Sequence, residues 1–404
     1  MNFKFSLLFL FLLLSTFRVV ARTDTCILDE FFMKSDGYQS VKFDIYNNEL
    51  EKTNNIYSLL PDIYITTGQS AHNDSGFRPP IYNLAGLSVS QSIYSGGSYI
   101  NSREKLELNE KEFSRNISEN RVLYILNIYA DTLKIKSIDR LIGFYEERLS
   151  EQETEHKKLN VLYAQGDISE NEVKLGLDEI RTYKDNISRF KMERDNVLMD
   201  LKEKYKLTPD LLQHITKETV RSCKREGLSS LLEKENAINK RRITLDHEIE
   251  KSYYYPNASL SFSLTPKDGG RLRDITFSEG QYVASINVSI PVSGLFKLTN
   301  VNNKFRTSLE QSDYRFDSKW LELMRKKREL ESNVEIATRE LESLKNKIAI
   351  KKNQLNYLRN SSQIKDDMQY SYHSEKERMQ YLENLANTKE TEIEINKMHL
   401  YYIN

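Results

Sequence analysis

Residues able to do chemistry are scattered along this sequence, and none falls into a spacing that builds an active site. The six histidines are His72, His156, His214, His247, His373 and His399. The nearest approach to a metal pattern, His247-Glu248-Ile249-Glu250-Lys251, lacks the second histidine that a helical zinc site needs four residues on. Gly96-Gly97 and Gly269-Gly270 are isolated pairs that read as turns, and neither a P-loop nor a nucleophile elbow occurs. Acid pairs such as Glu146-Glu147 lie on long polar stretches and read as solvated helix faces. No enzyme, metal or cofactor is expected. Two cysteines remain, Cys26 and Cys223. An oxidising compartment permits a disulfide between them, but sequence does not place them within reach, and two free thiols are the alternative.

That compartment is suggested by the first residues. Lys4 precedes an apolar run, Leu7 to Leu14, and Val19-Val20-Ala21 offers small residues for cleavage after Ala21. Residues 1–21 read as a secretory signal; the run is short for an uncleaved anchor. Thr23-Asp24-Thr25 before Cys26 does not resemble a lipobox, which argues against lipidation there. Lys+Arg and Asp+Glu both number 59, so charge gives no case for nucleic acid. With 39% hydrophobic and 29% charged residues, 14 Gly and 7 Pro, the composition suits long exposed helices with thin apolar seams. After Ala21 no apolar stretch is long enough for a transmembrane helix, so any membrane span must be made of strands in a closed barrel.

The rest of the chain reads twice. Leu59-Leu60-Pro61 and Tyr254-Tyr255-Pro256 each open a strand, and Ser92-Ile-Tyr-Ser-Gly-Gly97 matches Ile290-Pro-Val-Ser-Gly294. These landmarks are offset by about 195 and 198 residues, which argues for a duplicated unit. The units are 22–205 and 228–404, joined by a short charged connection, 206–227, that Pro209 interrupts. That connection is either packed beside the helices or a plain linker.

Each unit opens with a helix, Val41 to Leu60 and about Leu228 to Tyr254. Two strands follow, at 61–68 and 85–94 in the first unit and 256–265 and 281–292 in the second. All alternate with period two. One face carries Ile63, Ile65, Leu87, Val89, Leu260, Phe262, Ile286, Val288 and Ile290. The other is mostly neutral hydroxyl and amide, including Ser88, Ser90, Ser259, Ser261, Ser285 and Asn287. The connecting loops His72–Pro80 and Lys267–Glu279 read as exposed turns. Strands of about ten residues with a small polar alternate face suit a lipid-facing barrel with a wet lumen. Four strands cannot close around a lumen, because the smallest membrane barrels have eight. Their edges must be satisfied by other copies, and three copies would supply twelve strands.

Long helices come next. From Gly97 to about Tyr163, and from Asn300 to about Leu358, helical patterning runs for roughly 60 residues, or about 90–100 Å. Val334, Ala337, Leu341, Leu344, Ile348, Lys351, Leu355 and Leu358 form a heptad seam with one lysine in it. Leu126, Leu133, Leu141 and Leu149 stand on the first outgoing helix. Val173, Ile180, Tyr183, Ile187, Phe190, Val197 and Leu201 form a matching seam on its return, and the second return covers about Asp366 to Tyr402. The two returns begin after breaks at Tyr163–Glu170 and Arg359–Asp366. Gly166 can cap a helix there, and Asp167 or Ser169 can start the next.

This order of signal, helix, two strands and long helical hairpin, given twice, resembles the TolC family of outer-membrane factors. The resemblance rests on Leu59–Pro61, Ser92–Gly97, Ile290–Gly294 and Gly166-Asp-Ile-Ser169, and it covers essentially the whole mature chain. It implies a mixed α/β membrane protein: a homotrimer whose twelve-stranded β-barrel, four strands per chain, continues into a long α-helical coiled-coil barrel in the periplasm. It further implies a bacterial outer-membrane location and work with a periplasmic adaptor and an inner-membrane ABC or proton-driven transporter, in type I secretion or efflux. The hairpin turns would be the adaptor-contacting tips: Ala164, Gln165, Gly166, Asp167 and Ile168, with Asn360, Ser361, Ser362 and Gln363. Asp366 and Asp367 match the family's tunnel-mouth acids, which could form a cation-binding ring; acids of a helix's first turn, favoured by the dipole, are the plainer reading. The chain departs from the pattern where Ser361-Ser362 replaces the usual glycine, and little sequence follows the last helix. A secreted coiled-coil stalk without a pore and the adaptor itself are the competing readings. A stalk has no use for the four amphipathic strands, and an adaptor would not repeat the whole unit.

Overall fold

The computed structural model describes residues 26–71, 81–266, 280–292, 294–362 and 367–404. The expected signal, the loops at 72–80 and 267–279, Gln363 and Asp366 lie outside the described residues. Two compact units emerge.

The first unit comprises residues 39–119 and 228–327 and holds the sheet. Its elements are most of helix α2 (Asp36–Tyr57), β1 (Asp62–Ala71), β2 (Ile81–Ser95), the start of α3 (Ser98–Gln165), α6 (Leu228–Ser252), β3 (Asn257–Pro266), β4 (Gly280–Ser289) and the start of α7 (Gly294–Ser362). The strands lie in the order β1-β2-β3-β4, every pair antiparallel. The central pair therefore joins one strand from each half of the chain. Among the described residues, β1 and β4 each have one edge without a neighbour.

Strand ends differ from the sequence expectation where pairing overrides local pattern. The β1–β2 ladder runs out to Ala71 opposite Ile81, past Gly68 and ahead of Ala85, because each added pair satisfies backbone groups on both strands. In the other direction β4 stops at Ser289 rather than Val292. Pro291 has no N–H to donate, so Ile290 falls outside the strand. A turn at Pro291, closed by the Gly294 N–H on its carbonyl at 2.9 Å, starts α7 at Gly294, ahead of the expected Asn300.

The second unit comprises residues 26–38, 120–227 and 328–403. It contains α1 (Asp29–Phe32), the later part of α3, α4 (Glu170–Glu203), a 3-10 turn (Pro209–His214), α5 (Lys217–Ser222), the later part of α7, and α8 (Asp367–Ile403). Its core is built from Ile125, Leu126, Ile128 and Tyr129 of α3, Leu201 of α4, and Met398, Tyr402 and Ile403 of α8. The connection between the halves contributes Leu207, Ile215, Val220 and Cys223, all at most 2% exposed. It is a packed segment, not a loose linker.

Candidate functional site

The sheet divides its chemistry by face because successive side chains alternate. Register puts Ile63 opposite Val89 and Ile65 opposite Leu87, then Leu87 opposite Leu264, Val89 opposite Phe262, and Leu260 opposite Ile286. The apolar residues thus share one face across all four strands. Within the chain this face is largely uncovered: Ile63, Ile65, Leu260, Ile286 and Val288 are all exposed, with Ile286 at 71%. Leu87, Val89 and Phe262 are half-buried. A contiguous apolar surface of this kind marks a contact with something other than water.

The opposite face pairs Ser88 with Ser263, Ser90 with Ser261, Ser92 with Ser259, and Ser261 with Ser285. The Ser261 and Ser285 hydroxyls lie 2.7 Å apart, Asn287 Nδ2 donates to Ser261 Oγ at 3.1 Å, and Ser289 Oγ donates to Asn257 Oδ1 at 2.6 Å. A neutral, mutually hydrogen-bonded surface suits contact with water without holding a charged solute tightly.

In the helical unit the seams lie against partner helices. Ala337, Leu344 and Leu355 of α7 and Ile180, Ile187 and Leu201 of α4 are buried. Lys351 interrupts the α7 seam for a reason the sequence hides: its ammonium pairs with Glu375 of α8. That bond holds the Glu375 carboxyl below the usual carboxylate range. The α7–α8 pair is also laced by Lys345–Glu390 at 2.8 Å and Lys389–Glu340 at 2.9 Å. Lys134–Glu193, Lys191–Glu146 and Lys184–Glu153 join α3 to α4.

Two tyrosines tie one hairpin to the other. Tyr129 of α3 donates to Glu394 of α8, and Tyr183 of α4 donates to Glu377 of α8 at 2.8 Å. Burial, and then these carboxylates, push both phenols above their ordinary value. Arg148 of α3, only 5% exposed, donates to Gln380 and pairs with Glu151, and Lys376 reaches Glu151 at 2.7 Å. Reading the sequence placed Tyr183 in the α4 seam without its partner and missed Tyr129 and Arg148. A lone Tyr or Arg on a charged helix carries no local mark of a partner 194 to 265 residues away.

The first hairpin turn is clearly formed. Gly166 adopts φ +82°, the left-handed cap that ends α3, and Asp167 N–H donates to Leu162 O at 3.0 Å. Ser169 opens α4, its N–H donating to Glu172 Oε2 at 2.7 Å. Ala164, Gln165, Gly166 and Asp167 are exposed and Ile168 is half-buried. Exposed apolar residues flank them: Val161 and Tyr163 on α3, Leu175 and Leu177 on α4. Of the second turn, Asn360, Ser361 and Ser362 end α7 and Asp367 begins α8.

Cys26 and Cys223 form a disulfide with Cα atoms 4.9 Å apart. No described helix is long and apolar enough to cross a membrane. No group of residues suited to hold a metal occurs among the described residues.

No protein-family model and no curated protein matches the chain. Solved structures do. The Campylobacter jejuni CmeC outer membrane channel matches with a TM-score of 0.71 at 12% identity, covering 93% of this chain and 84% of that one. The Neisseria gonorrhoeae MtrE outer membrane channel, in its open state, gives 0.69 at 11% identity over 93% and 87%. The Vibrio cholerae outer membrane protein VceC gives 0.64 at 10% identity over 92% and 95%. The chain has a TolC-like outer-membrane-factor fold.

Proposed function

We propose that the protein is a passive exit channel of the bacterial outer membrane, the last part of a tripartite system for efflux or type I secretion. The observation that carries this reading is the four-stranded sheet. Among the described residues it has two open edges, a largely uncovered apolar face and a hydroxyl face, within a fold shared with outer membrane channels. An open edge does not survive in hydrocarbon, so β4 of one copy must pair with β1 of the next. Three copies of a four-stranded sheet make twelve strands, enough to enclose a water-filled lumen. The seams leave stripes to spare. Ile336, Ile350 and Tyr357 of α7 are exposed at multiples of seven, as are Met192 and Met199 of α4, and such stripes fit neighbouring helices of other copies.

In this reading Ile63, Ile65, Leu87, Val89, Leu260, Phe262, Ile286 and Val288 face lipid, with Ile290 at the rim. The first turn and its apolar flank, with Asn360, Ser361, Ser362 and Gln363, receive a periplasmic adaptor. Asp366 and Asp367 ring the tunnel mouth. Energy comes from an inner-membrane transporter, and this chain catalyses nothing.

The test is the mass of the detergent-extracted complex together with conductance in a planar bilayer. The expectation is a trimer that forms discrete channels, and that Ile350→Asp with Tyr357→Asp releases monomers. A monomer without conductance, even with purified adaptor present, favours the pore-free coiled-coil stalk.

A further inference from the structure

We infer that this chain is a substrate for a disulfide-donating catalyst of the export compartment, and that the exchange takes place before the chain folds. The inference rests on the cystine and stands whether or not the channel reading does. Cys26 and Cys223 are the only cysteines, so one pairing exists and no internal thiol can correct or reverse it. The partners stand 197 residues apart in sequence.

In the folded unit both cysteines are buried, Cys26 being 8% exposed and Cys223 1%. The backbone on either side of the cystine is held in place. The Cys223 carbonyl accepts from Arg121 Nη1 at 2.8 Å, and Arg121 Nε donates to Asp29 Oδ1 at 2.5 Å. Asp29 in turn closes the turn over Cys26, its N–H on the Cys26 carbonyl at 2.9 Å. Arg225 grips the other Asp29 oxygen at 2.8 Å. Tyr402 Oη donates to the Val220 carbonyl at 2.7 Å, which packs the end of α8 against the same connection. Thiol–disulfide exchange needs a thiolate in line with an accessible sulfur. A protein-sized donor cannot reach either sulfur past this shell.

The chemistry balances on the unfolded chain. One cysteine thiolate attacks a sulfur of the donor's disulfide and forms a mixed disulfide. The second cysteine's thiolate then attacks the sulfur of the first, and the donor leaves as a dithiol. The donor gains two electrons and the two protons; the chain's two thiols become the cystine. With its Sγ in that bond, Cys26 is not a point of lipid attachment.

The test begins with the full-length native protein. Maleimide tagging under denaturing conditions should add no tags before reduction and two after it. Reduction by dithiothreitol should be at least tenfold slower for the native protein than for the same protein in denaturant, since exchange at the folded cystine is blocked in both directions. Two tags without reduction, or a lipid mass on Cys26, overturn the cystine. Equal rates in native and denatured protein overturn the order of events. A reductant pulse during synthesis should lower the yield of protease-resistant protein at least fivefold. Cys26→Ala/Cys223→Ala, which has nothing left to oxidise, should give the same yield with and without the pulse. A parent protein that folds reduced during the pulse and gains its cystine in the folded state once the reductant is removed shows that oxidation does not precede folding.

Discussion

A Cβ placed on Gly96 would lie 2.5 Å from the carbonyl oxygen of Ser252. The residue that turns β2 into α3 thus admits no side chain, because the end of α6 is pressed against it. Its φ of +63° adds a second restriction. Gly96→Ala should destabilise the protein by about 1–2 kcal/mol through left-handed strain alone, with the clash in addition. Gly97 also has positive φ, but a Cβ there meets only Asn101 Nδ2 at 3.9 Å, so Gly97→Ala should cost about 1–2 kcal/mol. Thermal midpoints of the two variants in detergent check the ranking. Equal losses would show that the Ser252 contact relaxes freely.

Buried and half-buried tyrosines set an alkaline limit. Tyr124, Tyr129, Tyr183 and Tyr402 are all pushed above the ordinary phenol value of 10.0, chiefly by burial. Below pH 10 the phenols are neutral in both folded and unfolded chains and their contribution is intact. Above it the unfolded chain releases protons that the folded one retains, so stability falls as pH rises. Absorbance at 295 nm should show part of the phenolate signal appearing only with loss of helix. Complete titration of all tyrosines in a fully helical protein would contradict this.

Asp29 is the counter-charge of a buried arginine. Arg121 is 5% exposed, and Asp29→Asn leaves its guanidinium without a neutralising partner, at a cost of about 3–5 kcal/mol. The double variant Asp29→Asn/Arg121→Met should recover part of that loss, since no bare charge remains. Denaturant midpoints for the cycle decide the matter, and losses that simply add would mean the two residues are not coupled.

Neighbouring residues of β4 should respond in opposite ways to the same substitution. Ile286→Arg puts a cation on the apolar face and should reduce recovery in outer-membrane fractions, by a penalty of about 2–4 kcal/mol at mid-depth. Asn287→Arg puts it on the hydroxyl face and should leave insertion intact while shifting ion selectivity in planar bilayers. Matched losses of insertion would mean that the faces are wrongly assigned.

Local pattern in the sequence settled what depends on neighbours a few residues apart. Alternation sorted Ile63, Leu260 and Ile286 from Ser88, Ser261 and Asn287, and pairing across the sheet kept them sorted. Heptad spacing marked Ala337, Leu344 and Leu355 as inward, and Gly166 marked the first turn. Tertiary structure alone decided which distant residues meet. Examples are Tyr129 with Glu394 across 265 residues, Lys351 with Glu375, and Cys26 with Cys223. It also fixed where strands end, since a ladder continues as long as its partner can supply hydrogen bonds. The physical reason is the same in each case. Periodicity is a property of one segment, whereas an ion pair, a hydrogen bond between helices or a disulfide exists only once topology has brought two segments into register.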